Sequence, residues 1–251
     1  MGKSVSRGML CGALLATLLL AACQSGGQQL VRVYVSLPLQ SPSPNTTGMG
    51  ESIANGIQLA FEQEQAGANP QAGNVPTQAF YQVGATQVEL RIRDDGNAAG
   101  QWEQEKEEKN AQEAAQDLQA VAYLGPYNSG AAMVSIPILN RAGLLQISPS
   151  ATWPGLTKPG FAQAEPGKFY PTGKRTFFRV VPTDEKQGPA AALWARSLGL
   201  RTFYILDDGE GYGVGIASLF ASYAQQIGMF QVGRQTIDKT ATDYRSVLEA
   251  V

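Results

Sequence analysis

Residues 125–152 read GPYNSGAAMVSIPILNRAGLLQISPSAT, and their order is strand end, tight loop, helix, strand, second tight loop. The apolar run 121–124 stops at Gly125-Pro126, through which a strand does not continue. Asn128 and Ser129 stand where a helix N-cap belongs, ahead of the apolar run 131–139. Such a cap leaves a hydroxyl and the first backbone N–H groups facing the loop, an arrangement that suits an anion such as a carboxylate. A short apolar strand, 144–147, leads to a hydroxyl-rich turn, Ser148-Pro149-Ser150-Ala151-Thr152. Neighbouring parallel strands deliver both loops to one sheet edge, where open α/β sheets bind ligands. Spacing alone does not separate this from a plain cap followed by a plain turn.

Upstream, residues 31–37 alternate and are β-branched, which predicts the first strand. A polar loop is expected over 38–50, a helix over 51–63 and a long loop over 67–84. Residues 88–93 read as a strand ending in Asp94-Asp95-Gly96-Asn97. That turn lacks the ligand count and distal glutamate of a calcium loop, so ending the strand and capping the next helix is its expected role. The helix of 98–119 is charged around 103–109 and reads as a solvated outer helix packed through Ala111, Ala114, Ala115 and Leu118.

Downstream, residues 152–175 contain four prolines and no period, so they read as a flap over the site or a cover on the sheet edge. Trp153, Phe161, Phe169 and Tyr170 are expected to pin that segment down. A strand at 177–181, a crossover at 182–187 with Asp184 as helix cap, and a helix to 198 follow. Strands at 201–206 and 230–236 flank a helix at 214–227, and a last helix opens at 244. The repeated alternation of strand and helix predicts a mostly parallel α/β architecture. The last helix starts without a C-cap before the sequence stops, so the second lobe is expected to be a partial one with apolar faces uncovered.

Composition narrows the chemistry. The chain has 251 residues, a formal net charge of −2 and no histidine. The near-neutral balance gives no electrostatic footprint for nucleic acid. Without histidine, Ser-His-Asp and Cys-His catalysis are excluded and the commonest transition-metal ligand is missing. Both cysteines, Cys11 and Cys23, lie near the start, so no disulfide staples the fold. Lys3 and Arg7 precede an apolar run, 9–20, too short to span a bilayer comfortably, and Leu20-Ala21-Ala22-Cys23 follows. This segment resembles a bacterial lipobox: residues 1–22 are expected to be a signal peptide, Cys23 the lipidated residue and 23–30 a tether.

The glycine-rich run at 207–215, DDGEGYGVG, sits between strand and helix but does not fit G-x-G-x-x-G, and its acids would stand beside the phosphates. Its glycines are better suited to letting the backbone and Tyr212 approach a small ligand closely. Asp207 and Asp208 are adjacent and would point to opposite faces of a continuing strand, a poor arrangement for paired acid–base work. No nucleophile elbow or Ser-x-x-Lys arrangement is present. Non-covalent recognition is therefore the stronger expectation, with no catalytic residue, no metal and no cofactor.

Several segments together carry a resemblance: GPYNSGAA at 125–132, ISPSAT at 147–152, FFRVVPTDEKQGPAAA at 177–192 and LDDGEGYGVGIA at 206–217. In this order the chain resembles the substrate-binding proteins of branched-chain amino-acid (Leu/Ile/Val-type) ABC transporters. The resemblance implies a type I periplasmic-binding fold: two Rossmann-like lobes with parallel sheets, the first over 31–180 and the second, truncated, over 181–251. It implies that Ser129 and Thr152 hold a ligand α-carboxylate, that the Ser150 carbonyl meets an α-ammonium and that Tyr212 covers the ligand from the second lobe. Tyr127, Asn128 and Ala151 complete the implied ligand-binding set, and Tyr127-Asn128 depart from the residues usual before the serine. The implied partners are a small amino acid or amide-like zwitterion and an ABC permease, with the protein held outside the cytoplasmic membrane by its lipid anchor. A sensor or a partner of cell-wall synthases with the same fold is the alternative.

Overall fold

A computed structural model of the chain describes residues 29–40, 44–64, 75–239, 241–249 and 251. The expected signal peptide, Cys23 and most of the expected tether lie outside the described residues. Among the described residues no helix is long and apolar enough to cross a membrane.

The first sheet begins with β1 (Gln29–Leu37), which starts two residues earlier than its apolar run implied. Residues 33–37 are buried on both faces because β1 lies between β3 (Thr86–Asp94) and β4 (Ala120–Leu124), parallel to each. The sheet continues through β5 (Leu145–Ser148) to the short edge strand β6 (Phe177–Arg179), also parallel. On the opposite edge β2 (Gln78–Val83) pairs antiparallel with β3, giving the order β2-β3-β1-β4-β5-β6. The expected loop at 67–84 thus holds a strand in its second half. Its one buried ring, Tyr81, stacks on Phe61 with centroids 5.2 Å apart, so a single contact rather than a full alternating face carries the element.

The connections are helices: α1 (Pro44–Gln63), α2 (Gln104–Gln116) and α3 (Ser129–Arg141). α1 starts seven residues before the predicted residue 51, with Pro44 at its first position, where a missing N–H costs nothing. α2 is shorter than predicted, and Leu118, expected to pack, is fully exposed beyond its C-cap. Conversely Glu107, placed on the solvated face by its charged neighbours, is wholly buried.

That burial has a clear partner set. The Glu107 carboxyl accepts from Ser36 Oγ at 2.6 Å and from Tyr123 Oη at 3.1 Å, and Asn110 Nδ2 donates to Ser36 Oγ at 3.0 Å. Asp95 sits beside it, wholly buried, with neither carboxyl oxygen hydrogen-bonded among the described residues. Asp94, the other acid of that turn, accepts from Leu39 N and Gly96 N and so ties off the ends of β1 and β3.

The second sheet is the parallel pair β7 (Thr202–Asp207) and β8 (Phe230–Thr236), flanked by α4 (Gln187–Ser197) and α5 (Gly211–Gln226), with the single turn α6 (Arg245–Leu248) beyond. Ala192, Ala224 and Met229 form its buried cluster. Gly188 lets α4 approach α5 closely, since a Cβ there would lie 2.7 Å from Leu219 Cβ. On β8 Phe230 is 71% and Val232 62% exposed. The N-cap of α4 is Lys186 and not Asp184 as expected; the Asp184 carbonyl accepts from Gln187 N and Gly188 N in the turn that leads into the helix.

Burial pushes the Glu107 carboxyl up to about 7, with hydrogen bonds from Ser36 and its neighbours opposing the rise. Burial, then the Glu107 charge, pushes Asp95 up as well. A carboxyl that binds its proton more tightly when folded favours the native state fully below its ordinary value. For Glu107 that contribution declines from about pH 4.5 to about pH 7 and is flat above. Glu107→Gln is therefore expected to flatten the fall in stability between those pH values, measured by urea denaturation at several pH settings. Parallel wild-type and variant curves would refute the assignment.

Candidate functional site

The site is built where β4 and β5 end. Gly125 adopts φ +126°, and a Cβ there would meet the Ser36 carbonyl oxygen at 2.3 Å, so only glycine lets β4 turn this close to β1. The loop 125–128 then enters α3. Asn128 is its N-cap in extended conformation, without a side-chain cap bond, which leaves the first N–H groups of α3 without a side-chain acceptor.

Serine hydroxyls lace this loop to the one after β5. Ser148 Oγ donates to the Pro126 carbonyl at 2.6 Å and accepts from Ala151 N at 2.9 Å. Ser150 Oγ donates to the Tyr127 carbonyl at 2.8 Å. In the other direction Trp153 N donates to Ser129 Oγ at 3.1 Å. Because Ser129 accepts there, its own O–H remains available as a donor. Behind the second loop Arg179 Nη1 donates to the Ala151 and Trp153 carbonyls, each at 2.8 Å, and Nη2 to Thr157 Oγ1 at 3.0 Å. Burial holds this guanidinium below its ordinary range, with nearby Tyr170 and Asp184 opposing that shift.

These elements surround a hollow of about 220 Å³. From the first sheet it is lined by Tyr127, Asn128, Ser129, Ser150 and Thr152, and from the second by Gln187 and Tyr212. Six of the seven sequence-predicted residues therefore converge on one space. Ala151 is placed differently: it is wholly buried, packs with the Trp153 cluster, and has its N–H and carbonyl bound to Ser148 and Arg179. Gln187, at the first position of α4, was absent from the sequence reading, which took its segment only as a crossover. Its Nε2 lies 3.4 Å from Tyr212 Oη, so both second-sheet residues share one rim.

Asp184 sits behind this wall, 1% exposed, with its N–H donating to the Thr152 carbonyl at 3.2 Å. Burial raises its pKa, and the neighbouring Thr152 side chain and Arg179 charge oppose the rise. Its carboxyl oxygens have no well-formed hydrogen bond among the described residues. The adjacent acids of the glycine-rich run are differently employed. Asp207 accepts from Arg234 Nε at 2.8 Å and Thr236 Oγ1 at 2.9 Å, while Asp208 accepts from Glu210 N. Among the described residues no carboxylate, amine or guanidinium lines the hollow itself.

The glycines of that run bring the two sheets together. A Cβ on Gly211 would meet Met133 Cε at 2.9 Å, and one on Gly215 would meet the Trp153 ring at 2.4 Å. Trp102 Nε1 donates to Glu210 Oε2 at 3.2 Å across the same seam, and Lys239 pairs with Glu210. Of residues 152–175 only Thr152 lines the hollow, among the described residues. The segment packs Trp153, Leu156, Phe169 and Tyr170 against Ala132 and Ile136 of α3, with Trp153 Nε1 bonded to Glu165 and Tyr170 Oη to the Leu156 carbonyl. Of the two expected roles the segment fills that of a cover.

Gly215→Ala is expected to force a shift at the Trp153 contact and cost about 1–3 kcal/mol of stability, read from chemical denaturation. An unchanged midpoint would show that the seam has slack.

The comparisons with known proteins agree with this geometry. Residues 31–251 match the family described as periplasmic binding protein. No curated protein matches the chain. A leucine-binding protein from Thermotoga maritima is similar in structure, with TM-score 0.66 and 21% identity over 88% of this chain and 52% of that one. The branched-chain amino-acid transporter substrate-binding protein from Streptococcus pneumoniae, solved with isoleucine, gives 0.64 and 20% over 89% and 54%. A Rhodopseudomonas palustris transporter solute-binding protein, solved with 4-hydroxybenzoate, gives 0.65 and 18% over 88% and 50%. The chain thus spans about half the length of these structures, which share its fold. With its mostly parallel six-stranded sheet, second parallel sheet and cleft at the strand ends, the chain belongs to the periplasmic binding protein family and has the type I periplasmic-binding fold.

Proposed function

We propose that the protein is an extracytoplasmic solute-binding protein that captures a small zwitterion, an amino acid or amide-like molecule, between its two lobes for delivery to an ABC importer. The supporting observation is the convergence of Ser129, Thr152 and the α3 N-terminus on one hollow that residues of the second sheet also reach. The Ser129 hydroxyl and the free helix N–H groups offer neutral donors to a carboxylate, and the helix dipole adds to their attraction. The Ser150 carbonyl offers an acceptor to an ammonium group. A zwitterion leaving water needs both kinds of partner, and a site without charged side chains supplies them from hydroxyls and peptide groups.

On this reading, lobes 31–180 and 181–251 close around the ligand, and the Trp102–Glu210 and Trp153–Gly215 contacts are the closed seam. Cys23, in its lipobox-like setting, anchors the protein to the membrane face where the permease is reached. Solute-binding proteins from other organisms that share this fold bind leucine, isoleucine or 4-hydroxybenzoate, consistent with a common frame and variable pockets.

The expected result in a thermal-shift panel of amino acids and amides is saturable stabilisation by one ligand class. Ligand at ~100 times its Kd should add roughly 2.7 kcal/mol. A flat panel would refute the reading. Ser129→Ala is expected to weaken binding by about 1.5–3 kcal/mol, since it removes a hydrogen bond to a charged group. Wild-type affinity in calorimetry would show that Ser129 serves only the Trp153 N–H.

A further inference from the structure

We infer that the ligand carries a carboxamide-type polar group beyond its main-chain charges, and that branched aliphatic amino acids are disfavoured. This rests on the zwitterion reading above and names the substrate class of the same hollow.

The argument is one of unmet hydrogen bonds. Among the described residues no aliphatic side chain lines the hollow. Ser129, Ser150 and Thr152 answer the charged groups of a zwitterion, which leaves Asn128, Gln187 and the two tyrosines to face the remainder of the molecule. The Asn128 carboxamide does not cap α3 and has no hydrogen-bond partner among the described residues. The Gln187 carboxamide has one, the Tyr212 hydroxyl, at a long 3.4 Å. Tyr127 is turned the other way, with its hydroxyl against Met49 Sδ at 3.2 Å, so it presents ring rather than hydroxyl to the hollow.

A leucine side chain in the hollow would displace water from the faces of two amides and give them nothing in return. A ligand carboxamide offers one acceptor and two donors, the complement of an Asn or Gln side chain. Sites that hydrogen-bond a ligand group reject the analogue lacking it far more strongly than apolar pockets reject an extra methylene. The two amides come from opposite sheets, so a ligand that pairs with both also ties the sheets together.

The test is calorimetry of the whole protein with L-alanine, L-glutamine, L-asparagine, L-leucine and L-isoleucine, on wild type, Asn128→Ala and Gln187→Ala. Glutamine or asparagine is expected to bind ~10-fold or more tighter than leucine. Either substitution should erase most of that preference. Alanine binding in a variant also reports that its fold and main-chain grip are intact. Leucine or isoleucine binding as tightly as the amides, with alanine still bound, would overturn the inference and leave the zwitterion reading standing. No binding by any of the five would overturn both.

Discussion

The site depends on the lacing between the loops that follow β4 and β5. Three serines, 129, 148 and 150, cross-connect the loops through their hydroxyls, and Arg179 fixes the carbonyls behind them. Each bond contributes modestly, on the order of 1 kcal/mol, but each also satisfies a backbone group that burial would otherwise leave unpaired. The hydroxyls therefore have two duties that do not compete. Ser148 and Ser150 use theirs to set the loops, whereas Ser129 accepts from Trp153 and keeps its proton for the hollow. Rigid loops of this kind make a cleft that is formed before a ligand arrives, which limits the ordering cost of binding.

Beneath the loops a second polar layer transmits that rigidity into the sheet. Gln146 on β5 donates to the Gly125 carbonyl and to Ser135 of α3, so strand, loop and helix share one buried amide. The Ser36–Glu107–Tyr123 group lies on the neighbouring strands. Burying two carboxyls there is costly unless they hold protons, which explains why the surrounding donors are hydroxyls and an amide and not a lysine or arginine.

Much of this was legible in the sequence for a simple reason. The alternation of apolar runs with turn residues marks strand ends, and parallel strands bring every second turn to the same edge, so Ser129, Ser150 and Thr152 could be gathered without coordinates, whereas Tyr212, on the second sheet, was joined to them by the resemblance alone. What escaped was set by tertiary contact. β2 has one buried residue, too weak a signal to stand out from a Gly- and Pro-rich neighbourhood. Glu107 lies in a run of charges whose other members face water, and nothing local distinguishes it. Gln187 is a polar residue at the start of a helix, and its place at the cleft follows only from how the second sheet docks. Ala151, between two site residues, alternates inward as a buried neighbour must.

The tight approach of α5 to the first sheet has a spectroscopic consequence. Of the three tryptophans in the chain, Trp153 lies against Gly215 and Trp102 against Glu210, both at the junction of the sheets, while Trp194 is 68% exposed on the far helix. Separation of the sheets would take a neighbour from each of two indoles and leave the third as it was. Intrinsic emission thus carries a built-in gauge of how closely the two sheets approach, with its own internal reference, and needs no attached dye.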